Sequence, residues 1–150
     1  MFSCNQNKIE VKEGRLEMPE PDKPFRTDLE IRQTLAQIDV EITNSNKILT
    51  CKSGKKLVNS GIEILPYLKD YFSDTTEIKV FSSSNKRNLD IGELAIILAC
   101  QIKPIPIARV VGIQQCTPPF DMDIEHYFWK IENNRKKFIE KYNCWIKEEL

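Results

Sequence analysis

His126 is the only histidine in the 150 residues, so any mechanism that needs an imidazole must pass through it. Triad or dyad hydrolysis and multi-histidine metal chemistry therefore all narrow to "DIEHYFWKIE". A Cys116/His126 dyad is open on residue type, because the partners of a dyad meet in space and not in sequence. That pair would make the chain a small hydrolase, the third of three functional readings. The favoured role for His126 is an ordinary helix residue between Glu125 and Tyr127. The five cysteines, Cys4, Cys51, Cys100, Cys116 and Cys144, include no CxxC pair, which argues against a zinc knuckle or a thioredoxin-type centre. With Cys4 set aside, Cys51, Cys100, Cys116 and Cys144 are an even set, compatible with one or two disulfides in an oxidising compartment. Cys100 within "LAIILACQI" reads instead as a small buried hydrophobe.

Other chemistry finds no carrier. The five glycines are scattered and form neither GxGxxG nor GxxxxGK[ST], so no phosphate cradle is expected. Asp121, Asp123 and Glu125 share only their charge with a calcium loop; the glycine and the closing bidentate glutamate are missing. Their expected role is to favour a helix N-terminus through its dipole. No metal and no cofactor is expected. Lysine plus arginine and aspartate plus glutamate number 22 each, so no global field draws nucleic acid. Lys55-Lys56, Lys86-Arg87 and Arg135-Lys136-Lys137 are short clusters best explained as solvated faces. The longest unbroken apolar run, Leu94 to Cys100, is seven residues, far short of the ~20 that a spanning helix needs.

The elements that must position these residues are helical. Residues 1–26 carry Pro19, Pro21 and Pro24 among many charges and are expected to be a flexible N-terminal segment or tether. Residues 27–150 are expected to form a single helical domain. Thr27 and Glu30 have capping-box spacing, and Ile31, Leu35, Ile38 and Ile42 then predict one face of a first helix. A polar stretch, "TNSNKILTCKSGKK", separates it from a second helix. Ser60 and Glu63 could cap that helix, or it starts near Leu65 with Pro66 in its first turn. Residues 73–88 read as a loop with a short alternating piece at 77–81. Asp90 and Glu93 cap "DIGELAIILACQI", which is apolar on nearly all sides and so predicts the central buried helix. Pro104, Pro106, Pro118 and Pro119 predict a long loop over 103–119. The last segment predicts one long helix, or two with a bend at Asn133-Asn134. The fold class expected is all-α.

The order "GIEILPYLKDYFSD", "DIGELAIIL", "YFWKIENN" and "WIKEE" over residues 60–150 resembles small bacterial HEAT-like helical proteins, some of the toxin-immunity or interaction type. The resemblance implies HEAT-like helix pairs, with Gly61, Pro66, Asp74, Gly92, Glu93, Trp129 and Trp145 as structural markers and none of them catalytic. Residues 1–50 show no matching pattern.

The leading functional expectation is a non-enzymatic protein-binding protein, most concretely a bacterial immunity protein that covers a cognate toxin's active site. Its contact residues are expected to be Asp74, Lys86, Arg87, Asp121, Asp123, Glu125 and Trp129, the acids suiting a basic toxin surface. An envelope lipoprotein with a structural or assembly role is the alternative. Location turns on Cys4. With Met1 as the natural start, the chain is cytoplasmic and Cys4 is a surface thiol. With an upstream signal segment, Phe2-Ser3-Cys4 fits the end of a lipobox, Cys4 carries a lipid anchor, and the protein sits in the periplasm or cell envelope. The proline-rich tether and the even set of remaining cysteines favour the second.

Overall fold

The computed structural model describes residue 25 and residues 27–112 and 123–150. Among them, 65% are helical and 12% lie in strands, so the fold is mostly helical but not all-α. The first helix, α1 (Asp28–Gln37), starts where Thr27 accepts a hydrogen bond from the Glu30 N–H at 3.2 Å. It stops at Ile38, whose ψ of 125° turns the chain extended into β1 (Asp39–Ile42). Ile31 and Leu35 are buried from the helix, whereas Ile38 and Ile42 are buried from extended chain. A spacing of four suits both a helical face and one side of a strand, and the β-branched "IDVEI" chose the strand.

The polar stretch that follows is not a loop. It forms a 3-10 helix (Ser45–Thr50), then α2 (Lys52–Asn59), capped by the Cys51 thiol accepting from the Gly54 N–H at 3.3 Å. Ser60 does not cap its successor; its hydroxyl donates back to the Lys56 carbonyl. A 3-10 turn (Gly61–Ile64), entered through Gly61 at φ +72°, leads to α3 (Leu65–Asp70), with Pro66 in the first turn. Proline fits there because the first helical amides lack intrahelical partners anyway.

Residues 77–90 carry a hairpin. β2 (Glu77–Ser82) runs parallel to β1 and antiparallel to β3 (Arg87–Asp90), giving a three-stranded sheet of order β1-β2-β3. Ile78, Val80 and Ser82 face inward, and Glu77, Lys79 and Phe81 face solvent. The turn closes through Lys86 at φ 56°, a left-handed conformation that is uncommon for a residue with a Cβ.

Against this sheet and α1–α3 lies α4 (Ile91–Ile102), the centre of the molecule, with every residue from Ile91 to Ala99 buried. Its capping box is complete: Glu93 N–H donates to Asp90 at 2.8 Å, and Asp90 N–H donates to Glu93 at 2.9 Å. Within the stretch expected as loop, Pro106 opens a single-turn helix, α5 (Ile107–Val110). The C-terminal part is a 3-10 turn (Ile124–Tyr127), α6 (Phe128–Asn133) and α7 (Arg135–Glu149). The last two are separated where Asn134 leaves helical geometry at φ −152°, ψ 55°. On α7, Phe138, Tyr142 and Trp145 are buried, and the Tyr142 ring meets Phe72 edge-on at 4.9 Å.

Candidate functional site

Three polar segments converge at the C-terminal end of α4. The start of the Ser45–Thr50 helix brings Asn44 and Asn46; the last turn of α4 brings Cys100 and Gln101. The Ile124–Tyr127 turn brings Asp123 and His126, and these six residues line a cleft of about 460 Å³ whose apolar wall includes Ile105 and Ile124. Its walls are tied together locally. Gln101 donates to the Asn46 side-chain oxygen at 3.0 Å, and Asn44 accepts from the Asn46 N–H at 3.0 Å. Asp123 accepts from the Ser45 N–H at 2.8 Å, from the Ser45 hydroxyl, and from the Glu125 N–H at 3.1 Å. One carboxylate thus caps its own turn and docks it on a segment 78 residues earlier.

Burial, and behind it that carboxylate, shape the electrostatics of the cleft. Burial pushes the Cys100 thiol well above its usual range, and the Asp123 charge adds to this against a bond from the Ile105 backbone. The thiol is therefore held neutral, the opposite of what a nucleophile needs. Burial also raises the Glu125 carboxyl; the Ser82 hydroxyl opposes this, and Asp123 reinforces it. Glu125 is fully buried, with one oxygen accepting from Ser82 and Oε2 without a partner among the described residues. Asn85 donates to both the Ser82 hydroxyl and the Glu125 carbonyl, so the β2–β3 turn is locked to the cleft wall.

Most residues expected to meet a partner are engaged within the fold. Asp74 accepts from Arg32 at 3.2 Å and from the Thr76 N–H at 3.0 Å; burial raises its carboxyl, but these bonds hold it below the usual range overall. Arg87 forks onto buried Glu93 at 2.6 and 3.0 Å and reaches Glu132, while Arg135 forks onto Asp90 at 2.8 and 3.1 Å. Lys86 is exposed in its turn, and Trp129 is 60% exposed on α6. Phe128 and Trp145 are buried in the core, whereas Trp129 is left in solvent.

Cys4, Cys116 and Asp121 lie outside the described residues. Cys51, Cys100 and Cys144 are free thiols, with Cys144 exposed. Among the described residues no cluster of histidine, cysteine, aspartate and glutamate could hold a metal, and no helix is long and apolar enough to cross a membrane. Asn44, Asn46 and Gln101 carry no sequence signal of their own, because a carboxamide in a polar stretch looks like any loop residue. Comparison with known proteins gives no match to any family, curated protein or solved structure.

Proposed function

We propose that the protein is a non-enzymatic binding protein, most concretely a bacterial immunity protein that neutralises a cognate toxin by occluding its active site. The observation that carries this reading is Trp129, a large aromatic 60% exposed while its helix neighbours Phe128 and Ile131 are buried. Aromatics of this kind dominate interface energetics once a partner desolvates them. The cleft's own thiol, Cys100, is held neutral by burial, which suits a binding surface better than a nucleophile. The packing of α3 against α4 is the feature that supports a HEAT-like pair. A periplasmic or envelope location, through a lipid on Cys4, belongs to the same proposal.

The test is capture with immobilised protein from lysate and secreted fractions of the source organism. The expected result is a specific protein that inhibits growth when expressed alone, is silenced by equimolar immunity protein, and is lost on Trp129→Ala. Recovery of no specific partner, or a partner held equally by Trp129→Ala, would overturn the reading.

A further inference from the structure

We propose that the cleft at the end of α4 receives a basic side chain of the protein partner, a guanidinium, with Trp129 packing beside it. This rests on the protein-binding reading above and assigns the chemistry of the contact.

Two independent sources of negative potential meet in the cleft. The first is Asp123, the only carboxylate among the lining residues, which include no lysine or arginine. Among the described residues no cation lies within ion-pair distance of it; its partners are Ser45 and the Glu125 amide. The second is the C-terminus of α4, whose last turn supplies Cys100 and Gln101 to the lining and contains no basic residue. The aligned peptides of a helix leave about half a negative charge at that end. The nearest basic residue in sequence, Lys103 at the C-cap, is paired with Glu149 at 3.4 Å. Asp123 adds an upward push on both Cys100 and Glu125 behind that of burial, while His126, the one basic group of the lining, lowers Glu125.

The hydrogen-bonding groups favour a planar cation. The Gln101 side-chain nitrogen is used on Asn46, which leaves its carbonyl oxygen as an acceptor in the same lining as the Asp123 carboxylate. A guanidinium brings several in-plane donors and tolerates partial desolvation better than an ammonium. The volume of about 460 Å³ accommodates such a side chain with room for water. Trp129 follows His126 by three residues, and the Ile124–Tyr127 turn runs directly into α6. Trp129 is outside the lining itself, but it is the exposed large aromatic that follows the lining residue His126 most closely in sequence, and a partner side chain entering the cleft would meet it on the way in. An aromatic face beside a recessed guanidinium adds cation–π attraction and excludes water.

The experiment follows the side-chain amide signals of Asn44, Asn46 and Gln101 by NMR in the full chain. The protein is titrated with Nα-acetyl-arginine amide and, separately, with its neutral isostere Nα-acetyl-citrulline amide. The expected result is saturable shifts with the arginine probe and binding at least about tenfold weaker for citrulline, with the arginine response lost in Asp123→Asn. Asp123 also holds Ser45, so Gln101→Ala serves as the second variant; it leaves those bonds in place, removes the acceptor together with the Gln101–Asn46 bond, and is expected to weaken arginine severalfold on the Asn44 and Asn46 signals while circular dichroism shows the chain still folded. Equal responses to the two probes, or no saturable response, would overturn the inference even where a partner is still captured through Trp129. Arginine binding in the cleft with no protein partner recoverable would instead sink the binding-protein reading and leave the cation site standing.

Discussion

Glu125 shows how a single residue can be costly to the fold and still hold it together. Its carboxyl is fully buried, with Ser82 on one oxygen and nothing described on the other, and burial raises its pKa. A carboxyl whose folded pKa lies above its unfolded value binds protons more readily in the native state. It therefore opposes folding where it is ionised, and that cost fades as pH falls through the folded value. Glu125→Gln keeps the shape and removes the charge. The variant should be more stable than wild type by about 1 kcal/mol at pH 7.5, the scale of an unsatisfied buried polar group. The difference should shrink at pH 5, because the raised pKa brings protonation of the wild-type side chain to higher pH than for a free carboxyl. Urea denaturation of both proteins at the two pH values checks this; a pH-independent difference would point to packing and not to charge.

At the scale of elements, the close approach of α4 to the segment after α3 depends on Gly92. A Cβ there would lie 2.4 Å from the Phe72 carbonyl oxygen and 2.8 Å from Arg135, and the Gly92 N–H already donates to Asp74 at 2.8 Å. Gly92→Ala must push the helix away from backbone, which does not yield as a side-chain tip would. A loss of about 1–3 kcal/mol is expected, read as a lower denaturation midpoint with unchanged slope. The same elements show what the sequence could and could not reveal. The capping box at Asp90 and the apolar circumference of α4 are local signals with one physical solution, and both were legible. The sheet was not, apart from the alternating piece at 77–81. β1 hid behind a spacing of four that serves helix and strand alike, and β3 is the four-residue "RNLD", where only Leu89 is buried. The polar stretch at 43–56 read only as a separator between helices because Ile48 is its one buried hydrophobic side chain, too few to make a stripe. The cleft was least legible of all, since it joins residues 44–46, 100–101 and 123–126 through tertiary contact. Sequence reasoning reached Asp123 and His126 by their charge and rarity, but had no means of placing Asn44 or Gln101 beside them.

At the scale of the molecule, one charge network joins several elements, and this separates stability from recognition. Arg87 of β3, Glu93 of α4, Glu132 of α6 and Arg135 of α7 form one network tying the sheet to both C-terminal helices. Burial raises Glu93, but the Arg87 fork and the Asp90 N–H outweigh it and leave its carboxyl below the ordinary 4.5. A lowered folded pKa means stabilisation fully present above the unfolded value and lost as pH falls through the folded one. Stability should therefore drop below about pH 4.5, and Glu93→Gln should flatten that acid limb while costing about 1–3 kcal/mol at pH 7, because Arg87, partly exposed and still paired with Glu132, loses its buried counter-charge. Trp129 stands outside this network: it is 60% exposed, and among the described residues no ring contact or hydrogen bond ties it to the core. Trp129→Ala should leave the denaturation midpoint within about 0.5 kcal/mol of wild type. The same change should weaken the captured partner by about 2 kcal/mol or more, roughly thirtyfold in affinity, as truncation of a central interface aromatic does. Measuring both quantities on one preparation decides the matter. A large loss of stability would make Trp129 a structural residue, and a neutral effect on both would leave its exposure without a function.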